Sequence, residues 1–230
     1  MKNNFDSLNQ YTDPFSEQAK KLSLAFDIAT INKDVDAVRK LLDDTKKVLV
    51  KENEASKAMI YYSLGTAYDD FAKLTENRTE ETFQKVLYCF RKSIKLIEQD
   101  EYTKEIYRPY VLGLKEILYT NYANALDHCG RKIAAIEQYK KVLSFHNDFG
   151  MALGNLGRVY QHYGMLEYDK GHRDLFHYFA YHYLNKATKC EDPNTHDNAK
   201  KCFESTMNIY APEYVENVLT AELSFNQYVY

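Results

Sequence analysis

The chain repeats its own pattern without a gap at an offset of 34 residues. Tyr119, Tyr122, Ala123, Leu126 and Gly130 of "YTNYANALDHCG" correspond to Leu153, Leu156, Gly157, Tyr160 and Gly164 of "LGNLGRVYQHYG". Spacings of three and four place these side chains on one helical face, and the closing glycine predicts a turn. After Gly130, "RKIAAIEQYKKVL" continues the rhythm through Ala135, Tyr139 and Val142, so the unit reads as a helix-turn-helix hairpin. A hairpin of this length cannot bury its apolar face alone and must stack on its neighbours. Gly154 and Gly157 fall within this apolar run although each costs about 1 kcal/mol relative to alanine inside a helix.

Weaker copies lie upstream. "IYYSLGTAYDDF" supplies Tyr61, Leu64, Gly65 and Tyr68, and "KVLYCFRKSIKLI" supplies Val86, Phe90 and Ser93. The intervening "AKLTENRTEETFQ" is longer than a hairpin turn, which predicts extended helices or a surface loop. Before these, Leu24, Ala25 and Ile28, a turn at "NKD", then Ala37 and Leu41 form a degenerate first hairpin. Downstream, "MLEYDKGHRDLF" interrupts the pattern before Ala180, Leu184 and Ala187 restore it. Only 8 glycines and 4 prolines punctuate the 230 residues, too few for many short strands. The expectation is an all-α chain: an N-terminal arm over 1–16, then one solenoid domain over 17–219. Its hairpins fall at about 17–50, 58–98, 116–149 and 150–190, with capping helices over 194–219 and a tail over 220–230.

The large-x-x-large-small-x-x-large helix followed by alanine, an aromatic and a further small or branched residue resembles the tetratricopeptide repeat. That resemblance implies a helical-hairpin solenoid, a non-catalytic role, and a concave groove that binds a peptide or protein segment; it also implies that Gly157, the small residue of the first helix, admits a close neighbouring helix whose contacts offset the lost propensity. A narrower likeness joins "HNDFGMALGNLGRVYQHYG" and "DKGHRDLFHYFAYHYLNKA" to the repeat region found ahead of a HEPN domain in some bacterial proteins. Such domains are often ribonucleases marked by Arg, four to six residues, then His. Arg158 and His162, like Arg173 and His177, have only three residues between them. On this alternative the chain is the sensor half of a HEPN-type ribonuclease whose catalytic domain lies outside it.

Charge and motifs narrow the classes further. Thirty basic against 33 acidic residues leave a net charge of -3, without the basic excess of a phosphate-backbone binder. The four cysteines form no C-x-x-C pair, so neither a disulfide framework nor a zinc site is legible, and reduced thiols in the cytoplasm are expected. No window approaches the ~18 uninterrupted apolar residues of a membrane span. His172, His177 and His182 recur at five-residue intervals and fan around a helix axis, where paired ligands need three or four. Gly-rich phosphate loops and nucleophile elbows are missing, and no cofactor or metal is expected.

The candidate site is the other face of the repeat's first helix. Placing the packing residues inward turns Tyr62, Ser63, Thr66 and Asp69 toward the concavity, then Thr120, Asn121, Asn124 and Asp127, then Gly154, Asn155, Arg158 and Gln161. Asn121 and Asn155 are 34 apart and hold equivalent positions. A carboxamide donates and accepts, which suits an extended peptide backbone. The repeat family implies the same use, since asparagines at this helix position form peptide-binding ladders in several members. Arg158 offers a carboxylate partner, and His162 lines the same groove. Tyr62 and Thr120 stand where the family's carboxylate clamp has lysines, which argues against that ligand. "DKGHRD" provides a secondary loop site at His172 and Arg173, or else a helix cap at Asp169 or Asp174.

Overall fold

A computed structural model of the chain describes residues 12–99, 102, 104–167, 169–190, 197 and 199–204, apart from the side chain of Lys46. Among these residues all regular structure is helical. The helices are α1 (Glu17–Ile31), α2 (Val35–Leu49), α3 (Glu54–Leu74), α4 (Glu80–Ile97), α5 (Arg108–His128), α6 (Lys132–Phe145), α7 (Gly150–Leu166) and α8 (Lys170–Ala187). A 3-10 turn, Glu105–Tyr107, leads into α5. Residues 199–204 are helical as well. The rest of the expected cap over 194–219, apart from Asp197, lies outside the described residues, as do most of the 1–16 arm and the 220–230 tail.

Short polar residues set most helix starts. The side chains of Ser16, Asp34, Asn53, Thr79 and Asp169 each accept a backbone N–H from the first turn of α1, α2, α3, α4 and α8. Such caps contribute about 1 kcal/mol apiece. Gly130 ends α5 as its position predicts, with φ at +73°, its N–H on Asp127 O and the Arg131 N–H on Leu126 O.

The chain divides into two compact units, Met1–Gln138 and Tyr139–Tyr230. In the first, α1 packs on α2 and α3, α3 on α2, α4 and α5, and α4 on α5. Its core joins Phe26 and Ala29 of α1, Val38 of α2, Ile60, Leu64 and Ala67 of α3, and Cys89 of α4. Two hydrogen bonds fix α1 beside α3. The Ser16 N–H donates to Ser56 Oγ at 2.8 Å and Ser63 Oγ bonds Ser23 Oγ at 2.9 Å, each spanning 40 residues, so the two helices run parallel in one register. Buried Ser93 of α4 donates to Ala58 O at 2.6 Å and ties the second hairpin together.

In the second unit α7 packs along α8. Tyr160 is the hub, with Tyr183, Phe179 and Phe176 around it at ring-centroid distances of 5.8, 5.0 and 6.4 Å. Offset aromatic pairs of this kind add about 0.5–1.5 kcal/mol each beyond their buried area. Leu153, Ala187 and Ala199 close a smaller cluster with Leu143 of α6.

Several expectations are corrected. Leu24 and Ile28, read as core, are 58% and 50% exposed, because α1 turns Phe26 and Ala29 inward instead. Gly164 does not end its helix. It lies buried within α7, where a Cβ would sit 2.4 Å from the His177 ring. The segment "MLEYDKGHRDLF" is no inserted loop, since α7 runs on to Leu166 and α8 begins at Lys170. Of the two readings of the long "AKLTENRTEETFQ" connection, extended helices are the one found, with 75–79 between them.

Candidate functional site

Two candidate residues of the first unit come together where α3 packs on α5. Asn121 Nδ2 of α5 donates to the Tyr62 hydroxyl of α3 at 3.0 Å, a side-chain bond across 59 residues. The Tyr62 ring leans on Phe90 at 6.2 Å, which holds the phenol in place. Burial pushes the Tyr62 hydroxyl up to about 12, with the charges of Asp27 and Asp70 adding to it and the Asn121 bond working the other way. The phenol therefore stays protonated at neutral pH. Asn124 is half-buried one turn further along α5.

Two carboxylates border this pair. Asp27 on α1 is exposed, and its carboxyl is raised by partial burial and then by the like charge of Asp70 on α3. Lys73 bonds Asp69 at 2.7 Å and Asp70 at 3.0 Å. Burial pulls that ammonium down, but its two carboxylate bonds outweigh the effect and leave it raised.

Three neighbours expected on the same face are not available to a partner. Ser63 is buried in the α1–α3 contact, Thr120 is buried with its hydroxyl on Glu116 O at 2.7 Å, and Gly154 is buried within α7. A helix that contacts neighbours on two sides keeps a narrower outward strip than a single packing stripe predicts.

In the second unit Asn155, Arg158 and His162 share one face of α7 at i, i+3 and i+7. Arg158 and His162 are exposed, Asn155 is half-buried, and the Arg158 guanidinium donates to Asn155 Oδ1 at 3.2 Å. His172 and Arg173 stand in the first turn of α8 and not on a loop. The Asp169 carboxylate caps that turn by accepting the His172 N–H at 2.9 Å. Tyr163, Tyr178 and Tyr181 are half-buried: Tyr163 stacks on Phe176 at 5.1 Å, Tyr178 contacts Phe179 and Tyr181 contacts Phe203.

His177 is the histidine that sequence leaves unassigned between core and surface. It is 3% exposed in the α7–α8 seam, and burial lowers its pKa while its bond to the Gly164 backbone opposes the shift. Among the described residues no three His, Cys, Asp or Glu side chains converge as a metal site would require. No helix of the described residues is long and apolar enough to cross a membrane.

What sequence reasoning missed is Asp27. Its membership of the site depends on the parallel register of α1 and α3, and the first hairpin's degenerate apolar pattern points to a different face of α1. The Ser23 and Ser63 pair carried the only available signal, two small polar residues that can meet across a close helix contact. Against known proteins, the chain matches no family model, and no curated protein is significantly similar to it.

Proposed function

We propose that this chain is a non-catalytic binding scaffold of the tetratricopeptide type, which holds an extended peptide or protein segment on the outward polar strip of its hairpins' first helices. In the first unit the strip consists of Tyr62, Asn121 and Asn124; in the second, Asn155, Arg158 and His162 on α7 offer the same kind of surface. The observation that carries the reading is the Asn121–Tyr62 hydrogen bond. It immobilises a carboxamide at the surface of packed helices, so its Oδ1 and second N–H are presented with little side-chain entropy left to lose. Contacts of α1 with α3 and of α3 with α5 support this reading, since a stack of such hairpins needs its first helices to touch. With Ser63 and Thr120 buried, this reading assigns the strip to Tyr62, Asn121 and Asn124.

The test is selection of peptides from a displayed random library, followed by fluorescence polarisation of one selected peptide. Asn121→Ala with Asn124→Ala, and separately Asn155→Ala with Arg158→Ala, should show which unit holds the peptide. At least one pair should weaken binding by about tenfold, roughly 1.4 kcal/mol, with helicity and melting unchanged. Equal affinity in both double variants removes the proposal.

A further inference from the structure

The parallel register of α1 and α3 places charges whose balance bears on the partner. Ser16 meets Ser56 and Ser23 meets Ser63, both at an offset of 40. Asp27 lies one helical turn beyond Ser23 on the same side of α1, and at that offset it falls alongside Ala67, between Thr66 and Asp70 on α3. The α1–α3 seam beside Tyr62 thus carries the carboxylates of Asp27, Asp69 and Asp70. Lys73 serves Asp69 and Asp70 together, and Asp27 has no ion pair among the described residues. Lys20, two turns before it on the same side of α1, is engaged by Asp13 and Glu17. Three negative charges against one positive leave this strip at -2, a like-charge arrangement that costs free energy in the unbound chain.

We infer that the segment held on the Tyr62–Asn121 surface presents a basic side chain, lysine or arginine, to Asp27 and Asp70. The inference rests on the peptide-binding reading and gives the partner its chemistry. A cationic group entering beside Asp27 would relieve its repulsion with Asp70, and the partly shielded seam would strengthen the attraction relative to open solvent. Complementary charge also discriminates against acidic segments, which meet uncompensated carboxylates there.

The experiment is a positional-scanning array of acetylated, amidated nonapeptides, probed with the full chain and with Asp27→Asn plus Asp70→Asn. The expected result is a preference for Lys or Arg at one position, weakened about tenfold or more in the double variant and reduced as NaCl is raised from about 50 to 500 mM. A basic preference that is missing, or that survives in the double variant, overturns the inference. Asn121→Ala separates the two readings. If peptides bind in an Asn121-dependent way without basic preference, only the charge inference fails; if Asn121→Ala leaves the array unchanged, the surface itself is wrong. Asp27→Asn should melt no lower than the parent, because it removes a repulsive charge. A lower melting temperature would mean that Asp27 is held by a stabilising partner in the free chain, and would overturn the inference.

Discussion

Gly157 is where helix propensity and packing make opposite predictions. Replacing a mid-helix glycine by alanine should stabilise by about 1 kcal/mol if the helix were isolated. At Gly157, however, an added Cβ would stand 2.6 Å from Leu184 Cγ, 3.0 Å from its Cδ2 and 3.1 Å from its backbone nitrogen. Rotating the Leu184 side chain relieves the first two overlaps but not the third. Relief there requires α8 to move away, against a fully buried Leu184 and the Tyr160–Tyr183 stack one residue away. Overpacking of this kind costs about 1–3 kcal/mol, so Gly157→Ala should lose about 1 kcal/mol net and melt roughly 2–4 °C lower. Gly113 supplies the control. It lies exposed within α5, with nothing within 4 Å of an added Cβ, so Gly113→Ala should gain about 1 kcal/mol. Urea unfolding followed by far-UV circular dichroism measures both. If the two variants shift stability in the same stabilising direction, the close approach of α8 is not what selects glycine at 157.

Other outcomes follow from burial and backbone geometry. His177 has a lowered folded pKa, so between that value and its unfolded value near 6.5 the unfolded chain takes up the extra proton. Stability is then full above about 6.5 and falls as pH drops through that window; the urea midpoint should decrease from pH 7.5 to 5.5, and by less in His177→Gln. Asp174 and Arg173, the charges near it, pull its titration in opposite directions. Burial pushes the Cys89 thiol up to about 12, so at pH 8 it should resist Ellman's reagent until the chain is unfolded in guanidinium. Rapid labelling of Cys89 in the native chain would contradict its place in the core. Lys33 adopts a left-handed φ of 55° at an exposed turn, and Lys33→Gly should raise stability by about 0.5–1 kcal/mol in the same denaturation assay. An unchanged or lower midpoint would show that the turn carries no such strain.

The repeat was legible at positions where one residue type answers one physical demand. Gly65 meets Phe90 and Gly157 meets Leu184, in each case with an added Cβ at 2.6 Å, while Ala123 is fully buried at the corresponding place on α5. The spacing marked all three as small positions between large ones, and the resemblance to the repeat family supplied the expectation of a close neighbouring helix there. Gly130 was legible for a different reason, its left-handed φ. Gly164 shows why the same letter misleads. Its alignment with Gly130 suggested a turn, but the nearby His177 ring needs the space a side chain would take, and the helix passes through. The first hairpin was hard to read because α1 has apolar residues on two faces. Leu24, Ile28 and Ile31 repeat at helical spacing as plausibly as Leu22, Phe26 and Ala29, and only contact with α2 and α3 decides between them.

The site followed the same division. Sequence placed Tyr62, Asn121 and Asn124 on one face by subtracting the packing residues, and the structure joins the first two by a hydrogen bond between α3 and α5. Subtraction fails where a helix packs on more than one side, since Ser63 and Thr120 look outward by spacing yet are buried. It also says nothing about charge brought in from another hairpin. Asp27 joins the strip only through an offset of 40 between α1 and α3, where the clearest sequence repeat has 34. That offset is set by the lengths of α1 and α2 and of the turns that follow them, so a uniform repeat length would have placed a different α1 residue beside Tyr62. Electrostatic character in such a fold is therefore a property of register between hairpins, and neither repeat alone encodes it.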